Sequence, residues 1–166
     1  MKKIIVFILT AVMLLGAVAC AGTPSGNDDA DIPDTLAGKL FISFRDALKG
    51  GMTSTEELAN AVLATKELEP LFTMAMPVEQ GYLAGFDAEI HGFKEGAMFA
   101  PMISSIPFVG YILVPADGTT AEELAKNLED NANLNWNICV TADEMFVKAV
   151  DGYVFFVMCP LEIVAE

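Results

Sequence analysis

The sequence predicts one α+β domain, in which two to three helices pack against a mostly antiparallel sheet. Three observations lead to this prediction. Apolar residues recur at helical spacing near Leu36 and again after Thr120, and strand-like apolar runs fill the middle and the end of the chain. An Asp-Gly pair separates the last two of these runs. About 125 residues follow the N-terminal segment, enough to bury one core without disulfides.

The helices are predicted from their periodicity and their capping residues. Gly50-Gly51 ends the first helical pattern, whose apolar positions are Leu36, Leu40, Phe41, Phe44 and Leu48. A second helix is expected to begin at Ser54, which can form a capping box with Glu57. A third is expected to begin at Thr119 or Thr120, with two glutamates in its first turn and an apolar stripe formed by Leu124, Ala125 and Leu128.

Five segments are predicted to be strands. Phe86–His91 alternates apolar and polar residues, as in a half-buried strand, and Phe108–Val114 is apolar throughout, as in a strand covered on both faces. The other three are Trp136–Val140, Met145–Val150 and Tyr153–Cys159. Asp151-Gly152 predicts a type I′ hairpin turn between the last two. These three strands are therefore expected to form a C-terminal meander, with Lys148 opposite Phe155.

The N-terminus has the features of an export signal. Lys2 and Lys3 precede an apolar stretch, Ile4–Ala19, which spans roughly 24 Å as a helix and is shorter than the roughly 30 Å hydrocarbon core. Small residues come directly before Cys20, as in the lipobox of bacterial lipoproteins, so Cys20 is the expected lipidation site. Ala17-Val18-Ala19 also fits an ordinary cleavage site, which would release a secreted protein.

The domain organisation follows from this signal. Residues 1–19 are expected to be a lipoprotein signal peptide, residues 20–34 a flexible acidic tether, and residues 35–166 a single extracytoplasmic domain. The chain has 9 Lys and Arg residues against 23 Asp and Glu residues, a formal charge of −14. That balance excludes a nucleic-acid-binding face and is expected to hold the domain clear of an anionic membrane.

Several short motifs resemble a family of short lipoproteins from anaerobic Gram-positive bacteria, a domain of unknown function. The motifs are Val78–Phe86, Gly92–Gly96, Pro101–Ile103, Ile106–Phe108, Trp136–Val140 and Ala142–Glu144. The resemblance implies a lipid anchor and a single α+β domain. It implies no activity and no catalytic residues.

Few residues could carry out chemistry. His91 is the single histidine, and no nucleophile, zinc or phosphate-loop motif is present in the sequence. Asp87, Glu89 and His91 could hold a divalent cation if they share one face of a strand, with Glu79 or Glu95 as a further ligand. The simpler interpretation is a solvated strand face, since alternate residues lie about 7 Å apart.

Two cysteines remain after Cys20. If the C-terminal strands form a meander, Cys139 and Cys159 lie about 10 Å apart, two strand spacings, which is too far for a disulfide. Both are therefore expected to be buried thiols.

The apolar segment from Met98 to Phe108 has two interpretations. It could be core, or it could form a partner surface from five residues, Met98, Phe99, Met102, Ile106 and Phe108. Pro101 and Pro107 prevent a regular strand throughout, so part of the segment should be a loop.

Taken together, these features predict a lipid-anchored protein on the extracytoplasmic face of the cell membrane. Its expected role is non-catalytic binding of an envelope protein or glycan, with no cofactor. One alternative is binding of a small molecule or divalent cation by the acidic segment from Glu79 to Glu95. A more remote alternative is a glycan hydrolase, which would need two of these carboxylates in one cleft.

Overall fold

A computed structural model describes residues 32–102 and 106–163. The predicted signal peptide, the lipidation site Cys20 and most of the tether lie outside these residues. The helices are α1 (Leu36–Lys49), α2 (Thr55–Leu63) and α3 (Ala121–Asn131), with a short 3-10 helix at Lys66–Leu68. The strands are β1 (Thr73–Pro77), β2 (Gly81–Tyr82), β3 (Glu89–Ile90), β4 (Phe93–Pro101), β5 (Val109–Pro115), β6 (Glu144–Val150) and β7 (Tyr153–Cys159).

Five strands form one antiparallel sheet in the order β1-β4-β5-β7-β6, and β2 and β3 form a separate two-stranded ribbon. The predicted α+β fold is confirmed, and all three predicted helices are present. Within the described ranges, no helix has the length and apolar character needed to cross a membrane.

Both faces of the sheet are covered. On one face, which we call cluster 1, α1 and α2 pack on side chains such as Phe99, Ile112 and Phe155. On the other face, cluster 2, α3 and the β2–β3 region pack on side chains such as Tyr111 and Phe156. Strand β5 supplies residues to both clusters, which confirms the prediction that this apolar strand is covered on both sides.

The predicted helix starts are confirmed. The Ser54 hydroxyl accepts a hydrogen bond from the Glu57 amide at 3.5 Å, and α3 begins after Thr120, which forms a complete capping box with Glu123. Thr35 caps α1.

The strand predicted at Phe86–His91 is wrong except for Glu89–Ile90. Gly85 adopts a positive φ of 96°, and the Asp87 amide donates a hydrogen bond to the carbonyl oxygen of Asn131 at the end of α3. The backbone here is therefore bound to a helix terminus instead of a neighbouring strand. Apolar and polar residues alternate in this segment, which predicted a strand, but turns and bends place them in the structure.

The strand predicted at Trp136–Val140 is also wrong. This segment forms turns, in which the Trp136 amide donates to the Asn133 carbonyl and the Val140 amide donates to the Asn137 carbonyl. The C-terminal hairpin β6–β7 pairs with β5 instead, so the predicted meander does not form.

The hairpin itself is confirmed. Asp151 and Gly152 have φ values of 48° and 83°, as a type I′ turn requires. Lys148 lies opposite Phe155, as predicted.

The two cysteines differ in burial. Both Cys139 and Cys159 are free thiols, but only Cys159 is buried, and Cys139 is exposed. The prediction of a buried Cys139 is therefore wrong, because it assumed a strand where the chain turns.

Candidate functional site

An open groove of about 560 Å³ lies where β4 ends and β5 begins. Met98 and Trp136 both pack against cluster 2, so the groove opens on the face of the sheet that carries α3. The groove is lined by Ala84, Met98, Ala100, Pro101, Phe108, Val109, Trp136, Asn137, Ile138 and Cys139. None of these lining residues is charged.

One wall of the groove is a turn held by polar contacts. The Asn133 side chain accepts a hydrogen bond from the Asn135 amide at 2.8 Å, and the Thr141 hydroxyl donates to the Asn135 side chain at 2.9 Å. Asn133 in turn donates to Asp87 at 2.7 Å. These bonds fix the backbone on both sides of Trp136 and Ile138, which line the groove. The two residues keep this position although they do not belong to a strand.

Another part of the lining, Ala84, depends on Tyr111. Its hydroxyl donates a hydrogen bond of 2.8 Å to the carbonyl oxygen of Ala84, which holds Ala84 at the groove. Burial raises the pKa of the Tyr111 hydroxyl well above its ordinary value, so the group stays protonated and keeps this donor role.

Trp136, which lines the groove, carries an unsatisfied polar atom. The indole Nε1 of Trp136 is buried and has no hydrogen-bond partner within the described part of the chain. A buried donor without a partner costs about 1–3 kcal/mol, and such groups in native structures call for an explanation.

The predicted partner surface is only partly present. Met98 and Phe108 line the groove, and Met102 is strongly exposed at the end of β4. Phe99 and Phe108 are at most 1% exposed and belong to the core, so for these two residues the core interpretation is confirmed and the partner-surface interpretation is wrong. Ile106 is half-buried against cluster 1. Strand β4 sends alternate side chains to opposite faces, which explains why Met98 and Phe99 separate.

Sequence reasoning missed Ala84 and the Trp136–Cys139 turn. The turn was interpreted as a strand because its residues are β-formers, and Ala84 has no distinctive chemistry. The polar residues on either side of Trp136, Asn133, Asn135 and Asn137, were a turn signal that could have corrected this interpretation.

The predicted cation ligands do not converge in the structure. The Glu89 carboxylate and the His91 Nε2 lie 3.0 Å apart, whereas Asp87 accepts a hydrogen bond from Asn133. Glu95 accepts hydrogen bonds from Thr55. Glu79 lines a separate pocket of about 330 Å³. Across residues 32–102 and 106–163, no group of three or more His, Cys, Asp or Glu residues is placed to hold a metal ion.

Comparison of this chain with protein-family models, curated proteins and solved structures finds no match. The groove, together with the N-terminal sequence, is therefore the basis for a functional proposal.

Proposed function

We propose that the protein is a non-catalytic binding module, anchored to the extracytoplasmic face of the cell membrane through Cys20. In this proposal the groove binds an apolar segment of an envelope component. The observation that carries the proposal is the uncharged, largely apolar lining of an open groove that includes Trp136 and the exposed Ile138.

The chemistry of the lining defines the ligand. Apolar walls favour aliphatic or aromatic groups. The lining has no charge to neutralise an ion, and the chain has a formal charge of −14, so an anionic ligand is disfavoured. A neutral apolar segment fits these requirements.

The lipid anchor is supported by the sequence around Cys20, where a positively charged start and a short apolar stretch precede small residues and a cysteine. Membrane fractionation and mass spectrometry of the N-terminal peptide test this part directly. Lipidated Cys20 is the expected result, and an unmodified, secreted chain would contradict it.

The groove is tested with Nile red, a neutral apolar dye. Trp136 is the only tryptophan in the sequence, so its emission reports on this site. Binding of the dye should quench Trp136 emission. Ala84→Glu places a carboxylate at an exposed position of the groove and should weaken the apparent affinity about tenfold or more, since it puts a charge beside apolar walls.

Ala64→Glu is the matched control, because Ala64 is an exposed alanine at the end of α2, away from the groove. Equal dye affinity in the wild type and in both variants would contradict the proposal. A crosslinker attached to the exposed Cys139 in native membranes then identifies the physiological ligand. Its capture should be lost in Ala84→Glu and retained in Ala64→Glu.

A further inference from the structure

Exposed apolar side chains are concentrated at one end of the sheet. Among the described residues, five large apolar side chains are more than half exposed, and Tyr82 is one of them. The other four form what we call the apolar rim: Phe72 (84% exposed), Met102 (63%), Ile138 (98%) and Leu161 (52%).

Strand register places the four rim residues together. Phe72 precedes β1 and Met102 follows β4, and the Met102 amide donates to the Phe72 carbonyl at 2.7 Å. Leu161 follows β7, whose last residue pairs with the first residue of β6. Ile138 lies in the turn that lines the groove, close to where β4 ends. All four therefore occupy loops at the same end of the five-stranded sheet.

The chain enters the domain at this same end. The Leu36 amide donates to the Leu161 carbonyl at 2.9 Å, and the Ala37 amide donates to Glu144 at the start of β6. Helix α1 thus begins beside the rim. The composition of the predicted tether between Cys20 and this end of the domain leads us to expect a root-mean-square span of about 20 Å.

We propose that the apolar rim docks on the membrane surface, with its side chains inserted at the level of the lipid headgroups and upper acyl chains. This inference rests on the proposed lipidation of Cys20. With the tether that the sequence predicts, this end would have a local concentration near the bilayer on the order of millimolar, so weak apolar contacts would suffice. Exposed apolar patches on folded domains commonly mark such contacts.

The charge of this end determines how docking responds to salt. Asp143 and Glu162 are exposed close to Leu161, and their carboxylates are repelled by anionic lipids. Salt screens that repulsion but leaves apolar contacts in place. Docking on anionic vesicles should therefore strengthen as salt rises. This outcome differs from the expectation that acidic charge holds the domain clear of the membrane.

The test uses Cys139, which is exposed and adjacent to Ile138. The lipidated full-length protein is reconstituted at about one copy per vesicle in phosphatidylcholine with one-fifth phosphatidylglycerol. A polyethylene-glycol maleimide, too bulky to enter the bilayer, then measures the accessibility of the thiol. Cys159 is buried and does not compete in the folded protein.

The comparison variant is Phe72→Asp with Met102→Asp, which removes two rim residues without altering the Cys139 turn. Cys139 should react about tenfold more slowly in the wild type than in this variant, as expected when about nine-tenths of the molecules are docked. Tyr82→Asp, which changes an exposed aromatic residue outside the rim, should leave Cys139 as protected as in the wild type.

The outcomes separate the two proposals. Protein that floats with the vesicles but shows equal Cys139 reactivity in the wild type and the rim variant would overturn rim docking and leave the anchor intact. Protein that does not float would show that the anchor proposal itself has failed. Protection that appears only at many copies per vesicle would identify the rim as a contact between copies, and would overturn membrane docking.

Discussion

The carboxylate of Glu95 on β4 accepts hydrogen bonds from both the backbone amide and the hydroxyl of Thr55, at 3.1 and 2.9 Å. Thr55 is the first residue of α2, so a strand side chain satisfies an amide that the helix leaves unpaired. Glu144 on β6 does the same for α1, where it accepts from the Ala37 amide at 3.2 Å. The N-terminus of α1 is thus attached to the sheet by the carboxylate of Glu144, and that of α2 by the carboxylate of Glu95. Each negative charge lies at the positive end of a helix dipole.

Glu95→Ala should lower the free energy of unfolding by about 1–2 kcal/mol, because the amide and hydroxyl of Thr55 lose their acceptor. Urea denaturation followed by circular dichroism measures the change. Glu79→Ala, at another exposed glutamate, is the control and should alter stability by less than about 0.5 kcal/mol. Equal effects of the two substitutions would show that the contact with Thr55 contributes nothing to stability.

Gly110→Ala should destabilise the protein by about 1–3 kcal/mol through overpacking. Gly110 pairs with Phe99 across β4 and β5, and a Cβ atom at Gly110 would overlap the buried Phe99 ring. Phe99→Leu removes part of the obstruction. Combining it with Gly110→Ala should therefore cost less than the sum of the two single changes, as measured by a double-mutant cycle in urea. Strict additivity would argue against this close contact.

Stability should fall as the pH rises above about 8.5, where a thiol in the unfolded chain begins to lose its proton. Burial, and then the neighbouring Glu144, raise the pKa of the Cys159 thiol well above its ordinary value, so the folded protein keeps that proton. The unfolded state then binds fewer protons, and the free energy of unfolding decreases by up to about 1.4 kcal/mol per pH unit.

Cys159→Ala should flatten this pH dependence between about pH 8.5 and 10, whatever its effect on stability at neutral pH. Above about pH 10 a second decrease should remain, because burial also raises the pKa of Tyr111. Urea denaturation under reducing conditions across this range provides the measurement. An unchanged slope in Cys159→Ala would assign the decrease to other groups.

The two thiols should differ in reactivity. In the folded protein kept in detergent, where no bilayer covers the rim, Ellman's reagent should modify Cys139 rapidly and Cys159 only after denaturation, since Cys139 is exposed and Cys159 is buried. Cys139→Ser should abolish the rapid phase. Rapid reaction of both thiols would mean that the end of β7 opens readily, and it would require Cys159 to be replaced before the membrane experiment.

The features that local sequence determines were predicted well. The Asp151-Gly152 turn sets the register of the β6–β7 hairpin, and through it the pairing of Lys148 with Phe155. Helix α1 followed from its apolar spacing. In each case the residues that decide the structure are close together in the sequence.

The features missed depend on distant contacts. Phe86 alternates correctly for a strand, but its neighbour Asp87 is bonded to the end of α3. Trp136 belongs to a turn because β5 occupies the position beside β7. The groove combines Ala84, β4 and this turn, which are far apart in the sequence, so no local pattern indicates it.

The order of the strands leaves β1 and β6 at the two margins of the sheet, where a strand from another molecule could be added. Both margins carry a residue that opposes such addition. Lys148 puts a charge in the middle of β6, and β1 is short and ends at Pro77, which has no amide hydrogen to donate. Copies of the domain at high local concentration would thus remain separate, without edge-to-edge joining of their sheets.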